Sequence, residues 1–221
     1  MSNLAERGSL QGPVGALELA IDAPEAGAPV HGVAVLCHPH PLHGGAMDNK
    51  VVVTLARTFM QLGWRSVRFN FRGVGRSDGA WDEGRGEIDD ALAVIAAQRV
   101  PDLPLVLAGF SFGGYVATQA AARLAAAPKA DRRVDDTGQE SAPRLVLVAP
   151  AAGRFTLAPV PADTVVIHGE ADDVVPLAAV LDWARPQSLP ITVVPGAGHF
   201  FHGQLTLLKQ IVSAAMTSRA A

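Results

Sequence analysis

The sequence predicts one α/β domain, a mostly parallel sheet with helices on both faces. Two observations carry this reading. Six short β-rich runs are separated by helical stretches or long crossovers, the arrangement that covers both faces of a parallel sheet. The chain has 221 residues, enough for one sizeable core and too few for two comfortable domains.

In chain order, residues 32–37 (GVAVLC) read as a buried strand. Residues 49–62 read as a helix, because Val52, Leu55, Phe59 and Leu62 recur at spacings of three and four. Asp48 is positioned to cap its start and Gly63 its end. A strand follows at 65–71 (RSVRFNF), then a glycine-rich loop and a helix through Ile88, Leu92 and Ile95. Residues 105–110 form the next strand and 113–127 an alanine-rich helix. Three more strands fall at 145–148, 164–167 and 191–194, with helices at 177–183 and 204–216. An extra strand at 17–21 is expected to pair at one edge, with 1–12 as a flexible lead-in. Residues 129–143 hold seven charged residues and read as a surface loop. No internal repeat is present.

Composition narrows the function classes. Of the residues, 49% are hydrophobic and 18% charged, which fits a compact domain and not a disordered chain. A formal charge of −3 gives no footprint for nucleic acid. Cys37 is the only cysteine, so an intrachain disulfide is impossible. The N-terminal residues lack the apolar core of a signal peptide, and no apolar run reaches membrane-spanning length. The expectation is a cytoplasmic protein with no nucleic-acid or membrane partner.

The chemistry is concentrated at Gly109-Phe110-Ser111-Phe112-Gly113, a G-x-S-x-G between a strand and a helix. A serine on so tight a strand-to-helix turn has strained backbone angles. Side chains two positions before and after it would collide, and glycine removes them. Such a turn presents the hydroxyl at the carboxyl edge of the sheet and at a helix N-terminus. A serine needs a base, and the base needs an orienting carboxylate. The runs 165–176 (VVIHGEADDVVP) and 191–202 (ITVVPGAGHFFH) supply these past two later strand ends. The candidates are Asp172, with Asp173 and Glu170 as rivals, and then His199, with His202 as a weaker alternative.

With these motifs the chain resembles an α/β hydrolase, specifically the small lidless members related to dienelactone hydrolases and carboxylesterases. The resemblance covers roughly residues 30–215 and rests on CHPHPLHGGAMDNKVV, NFRGVGRSDG, GFSFGG, HGEADDVVP and GAGHFF. It implies a catalytic triad of Ser111, Asp172 and His199, the acid falling in H-G-x-x-D. It also implies an oxyanion hole made by the Phe112 amide and an amide of the loop after the first buried strand. In that loop Pro39 and Pro41 have no N–H, which leaves His40 as the best fit to the family's position and Leu42 second. Dienelactone hydrolases carry cysteine in the elbow. Ser111 stands there in this chain and favours ester substrates. About fifteen residues separate 148 from 164, too few for a helical lid, so an open site suited to short acyl chains is expected.

Two other patterns were weighed. His38, His40 and His43 give H-x-H-x-x-H, but the residue before the third histidine is Leu42, not aspartate, and no metal is expected. Residues 73–78 (GVGRSD) approach a dinucleotide fingerprint but lack its third glycine and a following helix, so no cofactor is expected. Phe110, Phe112, Phe200 and Phe201 flank the catalytic groups, either as pocket walls or as packing.

Overall fold

The computed structural model describes residues 5–127 and 142–217. The expected loop at 129–143 therefore falls almost entirely outside the described residues. Eight strands form one sheet: β1 Glu6–Gly12, β2 Gly15–Asp22, β3 Val33–Cys37, β4 Arg65–Phe69, β5 Leu105–Phe110, β6 Arg144–Val148, β7 Val165–Gly169 and β8 Thr192–Val194. Their spatial order is β1-β2-β4-β3-β5-β6-β7-β8. β3 to β8 run parallel, and β1 and β2 join them antiparallel.

Five helices cover the sheet: α1 Lys50–Gln61, α2 Arg85–Gln98, α3 Phe112–Ala126, α4 Leu177–Ala184 and α5 Leu205–Thr217. Val51, Leu55 and Phe59 of α1 share one apolar cluster with Leu208 and Val212 of α5. The opposite cluster takes Ile88 and Val94 of α2, Val116 and Ala120 of α3, and Val180 of α4. Successive strand residues alternate between these clusters: Val33, Val35 and Cys37 face one, Ala34 and Leu36 the other. That is why the β3 run is apolar throughout. Between β6 and β7, residues 149–164 form no helix, so among the described residues no lid stands over the carboxyl edge.

Three expectations need correction. The segment 17–21 is not an edge; it lies within β2, between β1 and β4. The first twelve residues are not wholly a lead-in, because Glu6–Gly12 is a strand in register with β2. β1 is almost entirely exposed, so it has no apolar alternation to read and is held by its backbone ladder and the Leu10–Leu17 pair. Asp48 does not cap α1. The Asn49 Oδ1 accepts from the Val51 amide at 2.9 Å, while Asp48 pairs at 2.8 Å with both Arg68 and Arg7.

The strand order reverses at β3, whose neighbours are β4 on one side and β5 on the other. The loops leaving β3 and β5 therefore diverge and open a crevice at the carboxyl edge, where open α/β sheets place ligands. His38 fixes the first of these loops. Its Nδ1 donates to the Pro39 carbonyl at 2.6 Å, and its Nε2 accepts from the Phe71 amide at 3.0 Å. Both ring nitrogens are thus spent inside the fold, leaving no lone pair for a metal.

Burial of His38 pushes its pKa down to about 4, against the smaller upward effect of the Pro39 carbonyl. The unfolded chain takes up that proton near pH 6.5. The stabilisation is therefore complete above about pH 6.5 and is lost as the pH falls toward 4, by about 3 kcal/mol. Urea midpoints measured between pH 7.5 and 4.5 should fall for the native chain and fall less steeply for His38→Gln; parallel slopes would refute the assignment.

Candidate active site

Ser111 leaves β5 with φ 56° and ψ −119°, a region that costs a non-glycine residue about 1–3 kcal/mol. The surrounding backbone holds it there. The Ser111 amide donates to the Val148 carbonyl at 3.0 Å, and its carbonyl accepts from Gly114 at 2.9 Å and Ala151 at 3.1 Å. The two motif glycines sit where no side chain fits. A Cβ on Gly109 would lie 2.2 Å from the Gly113 carbonyl oxygen, and one on Gly113 would lie 2.1 Å from that of Cys37. The second contact also presses the start of α3 against the end of β3.

His199 and Asp172 arrive on the loops after β8 and β7. His199 Nε2 is 3.0 Å from Ser111 Oγ, and His199 Nδ1 is 2.7 Å from Asp172 Oδ2. All three residues are buried. The second Asp172 oxygen accepts from the amides of Val174 and Val175 at 2.9 and 2.8 Å. Burial alone raises the Asp172 pKa. The hydrogen bonds from His199 and from those two amides outweigh it and hold the carboxyl below its usual value. Asp172 is therefore an ionised acceptor, which makes His199 the Nδ1–H tautomer and leaves Nε2 free to take the serine proton.

The rival carboxylates lie elsewhere. Asp173 is exposed, and Glu170 accepts from the Gly196 amide at 3.0 Å, bracing the loop that carries His199. His202 is exposed and packs against Phe200 rather than Ser111. His168, read in the sequence only as the first letter of H-G-x-x-D, lies directly behind the acid. Its Nε2 donates to the Val175 carbonyl at 2.9 Å and is 3.5 Å from Asp172 Oδ2. Burial lowers its pKa and keeps it neutral. It ties the end of β7 to the loop that aims Asp172.

Phe112 is the first residue of α3, so its amide has no helical partner. The loop after β3 brings His40 beside it, with ring centroids 5.2 Å apart. The Leu42 amide is already taken by His40 Nδ1 at 3.2 Å, which leaves the His40 amide as the freer of the two. Gly45 closes this loop, since a Cβ there would lie 2.0 Å from the Pro39 carbonyl oxygen. The three histidines do not converge. His38 is buried below, and the His40 and His43 rings meet at a tilt with centroids 4.7 Å apart.

Two cavities of about 350 and 380 Å³ meet at Ser111. Phe112, Ala151, Phe155 and Val175 line one; Asn49, Gly44, His199 and Phe200 line the other. His40, His43, Arg154 and Val174 border both. Phe110 and Phe201 are fully buried packing residues. A larger hollow of about 730 Å³ beside Asp22, His31 and Arg57 contains none of the residues around Ser111.

A family model described as serine aminopeptidase, S33, matches residues 39–154, which carry the β3 loop and the Ser111 elbow. An uncharacterized protein of Rickettsia prowazekii (strain Madrid E) is 32% identical over 193 residues, 80% of this chain and 75% of that one. The crystal structure of a Xanthomonas campestris protein, described as an α/β serine hydrolase without a lid, is 39% identical. It covers 99% of this chain and 96% of its own, with a TM-score of 0.81. An α/β serine hydrolase homologue from Coxiella burnetii is 36% identical, covers 98% of this chain and 99% of its own, and has a TM-score of 0.78. With the family model matching more than half of the chain and solved serine hydrolases 36–39% identical over nearly all of it, this protein is a hydrolase of the α/β fold and belongs to the serine aminopeptidase (S33) family.

Proposed function

We propose that the protein cleaves small carboxylic esters through an acyl-serine intermediate. The observation that carries this is the unbroken relay from Asp172 to His199 at 2.7 Å and on to Ser111 at 3.0 Å. His199 Nε2 takes the Ser111 proton as Oγ attacks the ester carbonyl. The amides of Phe112 and His40 hold the negative oxygen of the tetrahedral intermediate. Collapse expels the alcohol, which takes its proton from His199. Water then attacks the acyl-serine by the same route, returning the acid and free Ser111. Asp172 stays ionised and holds the imidazole in the working tautomer. No step calls for a metal or an organic cofactor.

The family description raises cleavage at a free amino terminus as a second reading. An aminopeptidase needs a carboxylate to hold the substrate ammonium. Among the described residues no Asp or Glu lines either cavity at Ser111, which favours esters. The same triad also suits thioesters and lactones. A non-catalytic binding role is disfavoured by the complete relay and would show as failure of a fluorophosphonate to label Ser111. A cytoplasmic setting belongs to this proposal. No helix among the described residues is long and apolar enough to cross a membrane.

Ser111→Ala should abolish p-nitrophenyl ester turnover. Asp172→Asn should lower kcat by about 10⁴, as loss of the orienting acid does in a serine protease, while Asp173→Asn should change it little. If Asp173→Asn is the inactive variant, the acid is misassigned by one position; if both remain active, the relay does not perform the chemistry.

The open cavities set the acyl preference. Values of kcat/KM along a p-nitrophenyl ester series should peak at short chains and decline by palmitate. A steady rise with chain length would show that the two cavities are not the acyl site.

A further inference from the structure

Resting on the acyl-transfer reading above, we infer that the substrate carries a carboxylate besides its scissile bond, and that Arg154 binds it. Three observations lead there. Arg154 borders both cavities at Ser111. No acidic side chain shares those walls among the described residues. Arg154 also has no carboxylate partner among the described residues, whereas Arg68, Arg72, Arg85, Arg123 and Arg185 each hold one. A guanidinium on a half-apolar wall, with its fork of donors unspent, is complementary to a carboxylate.

The origin of the side chain is fixed relative to the nucleophile. Arg154 belongs to a turn whose first residue, Ala151, donates to the Ser111 carbonyl at 3.1 Å. Gly153 turns the chain at φ 79°, and the Phe155 amide closes back on the Ala151 carbonyl at 3.1 Å. The Phe155 ring then packs on Phe112 and Tyr115, with centroids 5.1 and 4.8 Å away. The Arg154 charge is felt within the site. His40, whose pKa burial lowers first, is lowered further by His43 and Arg154. Among the described residues Arg154 is the one arginine or lysine in these walls, and a single guanidinium fork matches a carboxylate better than a dianionic phosphate. Asp173, adjacent in sequence to the wall residue Val174, lines neither cavity.

Because Arg154 stands between the cavities, the test places the carboxylate on each side of the ester in turn. The acyl-side pair is p-nitrophenyl hemiglutarate and its methyl ester; the alcohol-side pair is 4-(butyryloxy)benzoate and its methyl ester. The readout is the ratio of kcat/KM for the acid to that for its neutral methyl ester. The native protein should favour the acid in at least one pair. Arg154→Gln should lower that ratio by about 10- to 100-fold, mainly through KM, and Arg154→Lys should restore part of it. Ratios that Arg154→Gln leaves unchanged in both pairs would overturn the inference while leaving ester hydrolysis intact. If no ester of either pair is cleaved, the ester reading fails and binding of glutarate, followed by NMR, still decides this one. Glutarate binding weakened by Arg154→Gln supports the Arg154 site, and equal binding sinks it.

Discussion

The backbone of Ser111 is confined to φ 56°, ψ −119°, and the rest of the site is arranged around keeping it there. The penalty is about 1–3 kcal/mol, which one or two well-placed hydrogen bonds offset. Val148 at the end of β6 and Ala151 in the turn beyond supply them. The elbow is therefore held by the neighbouring strand and not by its own sequence alone. The same clamp fixes where Arg154 begins, because Ala151 belongs to both the clamp and the arginine turn. Glycines at 109 and 113 are needed since backbone oxygens, which cannot move aside, occupy the space a Cβ would fill.

A second level of organisation comes from the sheet. The reversal of strand order at β3 puts the loops after β3 and β5 on either side of one crevice. His40 and Phe112 come from those two loops, so the two proposed oxyanion donors are neighbours because of topology. His38 stiffens the first loop by bridging Pro39 and the Phe71 amide. Asp172 and His199 reach the crevice from β7 and β8, two and three strands beyond β5. Their buried contact is stable because both oxygens of the carboxylate are hydrogen-bonded. His199, Val174 and Val175 all donate to one carboxylate. Left unpaired, a buried carboxylate would be protonated or expelled.

Much of this was legible in the sequence, and the reason differs from part to part. The buried strands β3 and β5 announce themselves because both faces are covered and every position is apolar. The elbow is legible because steric exclusion acts within five consecutive residues. Position after a strand narrows the acid to three carboxylates and the family resemblance points to Asp172, but residue type alone cannot separate it from the adjacent, chemically identical Asp173; the coordinates put Asp172 on His199. β1 was not legible at all. Its side chains are exposed, and a ladder of backbone hydrogen bonds leaves no trace in residue type. Asp48 and Asn49 are both good cap residues, and Asn49 took the role because Arg68 and Arg7 drew Asp48 away.

By itself the sequence determined the fold class, the strained turn at the proposed nucleophile, and the order in which the candidate serine, acid and histidine appear. Each depends on periodicity or on contacts between near neighbours in the chain, which residue types encode directly. Only the tertiary structure decided which carboxylate meets His199 and that His168 stands behind it. It also decided that the Leu42 amide is occupied while the His40 amide is not, and that Arg154 borders the crevice with no carboxylate partner among the described residues. These are pairings across tens of residues, set by the strand order of the sheet, and no local pattern records them.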